Sequence, residues 1–152
     1  MKPITLEWVE KAENDIRSAQ RELRVRTHPN HDLVCFLCQQ CAEKYLKARL
    51  VEAGIRFPKT HDLEEVLDLL LPIEPHLGTF RRKLASLTNH AFEFRYPGES
   101  ATKEEAKIAF SSCRVVRKEI RKILGLDGPP SGQMNLRIKE RRARYKVRRK
   151  KK

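Results

Sequence analysis

Nowhere in this chain do apolar residues run on for the roughly 18 positions that a membrane-spanning helix needs. The opening MKPITLEWVEKAENDIR carries charge where a secretory signal would need an apolar stretch. No membrane segment and a cytoplasmic location are therefore expected. Cysteine is scarce as well. Of four, Cys35, Cys38 and Cys41 fall so close together that on a helix they cannot make the long-range staples of a secreted disulfide framework, and reduced thiols are expected. No segment reads convincingly as a strand, which leaves an all-helical fold.

What is abundant is positive charge. Lys and Arg number 33 against 20 Asp and Glu, for a net charge of +13. It is not spread evenly. The stretch from Gln133 to Lys152 holds eleven basic residues against the single Glu140, which accounts for +10 of that total. A nearly balanced domain is thus followed by a cationic extension, and 152 residues leave room for one folded unit with its own core.

Apolar residues at Trp8, Ala12, Ile16, Ala19 and Leu23 recur in steps of three and four, the mark of one buried helical face. A first helix is predicted from about Thr5 to Arg26. The turn THPNHD breaks it at Pro29, and Asn30 or Asp32 can cap a second helix that reaches Val51 and ends on Gly54. Thr60 is the predicted cap of a short third helix, HDLEEVLDLLL, with Asp62 in its first turn. Leu77, Phe80, Leu84, Leu87, Ala91 and Phe94 predict a fourth helix, closed by the turn RYPGES. Thr102 and Glu105 form a capping box for a fifth, with Ala106, Ala109, Phe110, Cys113, Val116, Ile120 and Ile123 on its buried face.

The expected fold class is therefore all-α, an up-and-down four-helix bundle with one additional short helix, because short connections make successive helices antiparallel. Residues 1–124 form the bundle, 125–132 (GLDGPPSG) a Gly/Pro linker, and 133–152 a basic tail expected to be disordered alone.

The three clustered cysteines invite a metal or redox reading. Residues three apart on a helix are turned by about 60°, so the thiols are expected to wind across an arc rather than converge. No glycine or proline lies between them to wrap an ion, and they fall past the first helical turn, where a lowered thiol pKa would be found. They are read as small core side chains, and neither metal nor cofactor is expected.

Read onward, CFLCQQCAEKYLKARLVEAGIRFPKTHDLEEVL resembles the region of helices two and three in the HEPN family. WVEKAENDIRSAQREL resembles that family's first helix, and FEFRYPGES the aromatic and RYP ending of its fourth. The resemblance spans about Trp8 to Leu124. It implies a compact helical bundle, often homodimeric, found beside or fused to minimal nucleotidyltransferases. Some members are RNA-cleaving toxins of toxin-antitoxin pairs, and others bind nucleotides or act as partner subunits. The apolar breadth of helix two is the sequence feature that supports a dimer.

Catalytic members carry an Arg and, after four to six intervening positions, a His. The candidates here are Arg82, Asn89 and His90, but seven residues separate the Arg from the His, placing them about 12 Å apart along one helix. A shared site would then have to form across a dimer. Arg95 and Tyr96 of the RYP element can hold a nucleotide phosphate and stack its base, or tie the turn to a carboxylate such as Glu99 with Tyr96 packed below. Lys59 and His61 lie at a helix start that attracts phosphate, although His61 also suits a loop-fixing hydrogen bond. In the tail, Arg141, Arg142, Arg144, Arg148 and Arg149 are expected to meet a phosphate backbone.

The leading expectation is a subunit that binds nucleotide or RNA and acts with a separate minimal nucleotidyltransferase. The alternative is a metal-independent endoribonuclease toxin with its site across a dimer.

Overall fold

The computed structural model describes residues 1–127, so the tail candidates Arg141, Arg142, Arg144, Arg148 and Arg149 lie outside the described residues. Five α-helices follow one another: α1 Pro3–Leu23, α2 His31–Ala53, α3 Leu63–Leu70, α4 Arg81–Glu93 and α5 Lys103–Ile123. A 3₁₀ turn, Pro75–Phe80, precedes α4. Among the described residues there is no strand, and none of their helices is long and apolar enough to cross a membrane.

Capping explains most of the boundaries. Asn30 accepts the Leu33 N–H at 3.0 Å and starts α2. Asp32 is drawn off elsewhere, its carboxylate accepting the Ala101 N–H at 2.6 Å. Gly54 closes α2 in the left-handed region at φ 72°, and the Ile55 N–H returns to the Leu50 carbonyl at 2.9 Å. Both halves of the Thr102/Glu105 capping box are formed.

Three boundaries differ from the sequence reading. The first helix stops at Leu23 instead of Arg26, because the Glu22 carboxylate already accepts the Asn30 N–H at 2.8 Å across the turn. Asp62, not Thr60, caps α3: its side chain accepts the Glu64 N–H, while Thr60 accepts the N–H of Asp62 itself. The predicted fourth helix is two pieces. Leu77 and Phe80 are three apart, which matches the tighter 3₁₀ turn opened by Pro75, and α-helical geometry begins only at Arg81.

The helix α2 is the centre, packing against α1, α3, α4 and α5. Its buried residues, among them Val34, Cys38, Tyr45, Leu46 and Leu50, spread over about 260° of its circumference. That breadth packs against the other four helices of the same chain. Tyr45 is fully buried, with its hydroxyl on the Glu13 carboxylate of α1. Arg117 of α5 grips the same carboxylate with two hydrogen bonds, at 2.6 and 2.9 Å.

All four cysteines are free and buried. Interaction with the Cys113 thiol of α5 and burial push Cys41 well above the usual thiol range, and interaction with Cys38 and burial do the same for Cys113, where Cys41 acts in the opposite direction. Burial, helped by Asp32 and Glu105, pushes Cys35 up to about 11. Thiolate chemistry is suppressed at all three positions.

Candidate functional site

A cleft of about 20 Å³ opens where α2, the loop before α3 and the end of α4 meet; it is lined by Gln39, His61, Thr88, Ala91, Phe92 and Arg95. A wider hollow of about 270 Å³ adjoins it, with Leu33 and Phe36 of α2 facing Phe94. Ala91 and Arg95 line both. Arg95 therefore stands between the two recesses.

Two of the lining residues, Gln39 and His61, belong to a buried charge network. Glu43 and Lys47, one helical turn apart on α2, pair at 2.7 Å with their side chains only 6% and 7% exposed. Gln39 donates to the Glu43 carboxylate at 3.0 Å and to the His61 carbonyl at 2.9 Å. Lys47 also donates to the Thr60 carbonyl at 2.9 Å. Two loop carbonyls are thus held by α2 side chains, which fixes the loop over the helix. Burial alone would raise the Glu43 carboxyl, but the hydrogen bonds from Lys47, His61 and Gln39 outweigh it and hold the group below its ordinary value of 4.5.

His61 completes this network from outside. Its Nδ1 lies 3.1 Å from Glu43 Oε2, yet its side chain is 69% exposed. An ionised carboxylate can only accept, so Nδ1 carries the hydrogen and donates it. In the neutral ring this donation places the lone pair on Nε2.

Arg95 is held differently. Its guanidinium lies 5.3 Å from the centre of the Phe36 ring and 5.8 Å from that of Phe92. No ion pair engages it among the described residues, whereas Arg49, Arg81, Arg117 and Arg121 all have carboxylate partners. The alternative that Arg95 ties the turn to Glu99 is not realised. Tyr96 is 67% exposed rather than packed beneath the turn.

The remaining candidates are scattered. Lys59 is exposed on the loop and lines neither recess. The start of α3 is not open to a phosphate at its first amides, since the Leu63 N–H donates to Thr88 and the Glu64 N–H to Asp62. Arg82 and Asn89 are exposed on α4 and His90 is half-buried, its ring 5.3 Å from that of Phe94. None of these three lines the cleft. Among the described residues no group of three or more His, Cys, Asp or Glu side chains is placed to hold a metal ion.

Sequence reasoning identified His61 and Arg95 separately and missed Phe36, Gln39, Glu43, Thr88 and Phe92. A signal for Glu43 and Lys47 was available: two opposite charges one turn apart, flanked by the apolar Cys41, Ala42, Leu46 and Ala48, imply a buried pair.

Among solved structures, the chain is similar to ST0689, an archaeal HEPN homologue, at 22% identity and a TM-score of 0.62, over 80% of this chain and 98% of that one. It is similar to TT1696 from Thermus thermophilus at 21% identity and a TM-score of 0.62, over 78% and 96%. These likenesses concern the fold. No curated protein matches the chain significantly. The HEPN domain model matches residues 5–123, from the first helix to the end of the last, and the chain belongs to the HEPN domain family.

Proposed function

We propose that this HEPN domain protein is a nucleotide- or RNA-binding subunit that acts, as a homodimer in the cytoplasm, with a separate minimal nucleotidyltransferase. The observation that carries the binding part is Arg95, an exposed cation stacked on Phe36 and Phe92 with no carboxylate partner among the described residues. A guanidinium pre-positioned in this way is suited to a phosphate oxygen. The exposed rings of Phe92 and Tyr96 offer faces for a base. His61 lines the same cleft and adds a polar edge.

Replacing Arg95 by alanine is expected to weaken binding of a short labelled RNA or a nucleoside triphosphate about tenfold, the loss of one charge-assisted hydrogen bond. Fluorescence anisotropy on the full chain measures it. Unchanged affinity would remove the cleft from the binding surface.

The second reading, metal-independent RNA cleavage, is favoured by one specific observation, the free Nε2 of an imidazole oriented by Glu43 next to Arg95. Such a group can take the proton of a ribose 2′-hydroxyl while Arg95 steadies the phosphate. Incubation with labelled RNA in EDTA separates the residues concerned. Cleavage reduced about a hundredfold by His61→Ala and restored by added imidazole assigns the base to His61. Loss confined to His90→Ala, or to Arg82→Ala and Asn89→Ala, returns it to α4 and a site across a dimer. No cleavage by concentrated wild-type protein leaves the binding subunit alone.

A further inference from the structure

The outer face of α5 lines neither recess and carries a row of cations. Lys103, Lys107, Arg114, Lys118 and Lys122 are all exposed. At 3.6 residues per turn they fall within an arc of about 100° and extend for about 28 Å along the helix. Ser111 continues the stripe where it has no cation, and Glu104 is its one acidic neighbour, at the edge of the arc.

None of the five cations forms an ion pair among the described residues. Arg114 has only the Phe110 ring, 6.0 Å from its guanidinium carbon. On the same helix, Arg117 and Arg121 point toward α1 and are both satisfied by Glu13. The helix thus divides its cations into a paired, half-buried row and an unpaired outer row.

The outer row is arranged against the stability of the helix. Lys103 with Lys107, Arg114 with Lys118, and Lys118 with Lys122 are like charges at i and i+4, where an opposite pair would stabilise and a like pair destabilises. A polyanion lying along the row would relieve all three repulsions. Steps of about 6 Å between such residues suit a chain of successive charges better than one compact anion.

We infer that the outer face of α5 is a track for the phosphate backbone of RNA, separate in role from the cleft at Arg95. The inference rests on the reading that the protein binds RNA. The track binds by charge and is indifferent to sequence, since Lys and Arg contacts to phosphate position a strand without reading its bases. Ile108 and Val115, exposed along one flank of the row, give ribose and base faces an apolar surface to lie against. In the sequence the strongly basic residues from Arg137 onward follow the end of this helix.

The test compares two full-length variants with equal loss of charge. One carries Lys107→Gln, Arg114→Gln, Lys118→Gln and Lys122→Gln. The other carries Lys11→Gln, Arg21→Gln, Arg26→Gln and Arg56→Gln, exposed positions away from α5. The probe is a labelled single-stranded RNA of about 20 nucleotides, titrated between about 50 and 200 mM salt, the range over which phosphate contacts weaken. Circular dichroism melting confirms that both variants fold.

The α5 variant is expected to bind at least about tenfold more weakly at the lower salt, with the slope of log K against log salt reduced by about 2 to 3 for RNAs of any sequence. The control variant is expected to lose less than about threefold by the same relation. Equal losses in both variants would reduce the effect to net charge and overturn the inference. So would an unchanged slope in the α5 variant while Arg95→Ala still weakens binding, a result that leaves the cleft reading intact. If the wild-type chain binds no RNA at all, both fall together.

Discussion

Replacing Glu43 by alanine is expected to destabilise the fold by about 3–5 kcal/mol, the range for breaking a buried ion pair from one side. The change leaves the Lys47 ammonium, whose side chain is 7% exposed, without its counter-charge. It also removes the acceptor for Gln39 and the anchor for the His61 ring. Urea unfolding gives the magnitude. The double replacement Glu43→Leu with Lys47→Met is expected to recover most of the loss, because two apolar side chains of similar size need no partner in the same space. If the single and double variants are equally unstable, the effect lies in packing rather than in an orphaned charge.

The same carboxylate gives a pH signature. Its folded value is depressed below 4.5, so the stability it contributes is complete above that value and is lost as pH falls through the lower, folded one. Glu13 has the same direction of shift for a parallel reason: burial raises it, and hydrogen bonds from Arg117 and Tyr45 overcome that cost. Wild-type stability is expected to decline on acidification below about pH 4.5, with a shallower decline in Glu43→Gln.

Glu13→Ala is the second large effect, at about 2–3 kcal/mol. This carboxylate takes two hydrogen bonds from Arg117, one from Tyr45 and a longer ion pair from Arg121. It joins α1 to both α2 and α5. The estimate stays below that for Glu43 because the Arg117 side chain is 32% exposed and water can take over part of its solvation. The two carboxylates separate further in function. Glu13→Ala should leave RNA affinity unchanged in samples that are still folded, whereas Glu43→Ala removes the group that orients His61.

Helix periodicity made the architecture legible, because burial on a helix repeats every three to four residues whatever the tertiary detail. Thr102, Glu105 and Gly54 announced their boundaries by side-chain chemistry alone, and the structure uses them for that purpose. The cap of α3 was read two residues early because Thr60 and Asp62 are both competent caps, and the choice depends on where Gln39 and Lys47 hold the loop carbonyls. The 3₁₀ turn at Pro75–Phe80 kept the apolar spacing of an α-helix and so was hidden within it.

The candidate site was harder to read for a different reason. His61 and Arg95 belong to segments 34 positions apart in the chain, and only the packing of α4 across α2 brings them to one cleft. A search for local motifs favoured Arg82 and His90 because they share a helix, but residues eight apart on a straight helix are separated along its axis however close their numbers. The cysteines were simpler, because their apolar setting marked them as core side chains and all four are buried.

The way α2 is surrounded has a consequence for how the protein comes apart. Each of the other four helices rests on it, so none can detach without wetting part of the one element whose buried residues include Tyr45, Leu46 and Leu50. The bundle then has no separable subunit of structure, and opening any edge weakens the support of the rest. Its backbone amides near Ala42 and Leu46 should be the last to exchange with solvent deuterium, through global unfolding alone. In that sense the helix that carries three buried thiols is the clock by which the stability of the whole domain can be read.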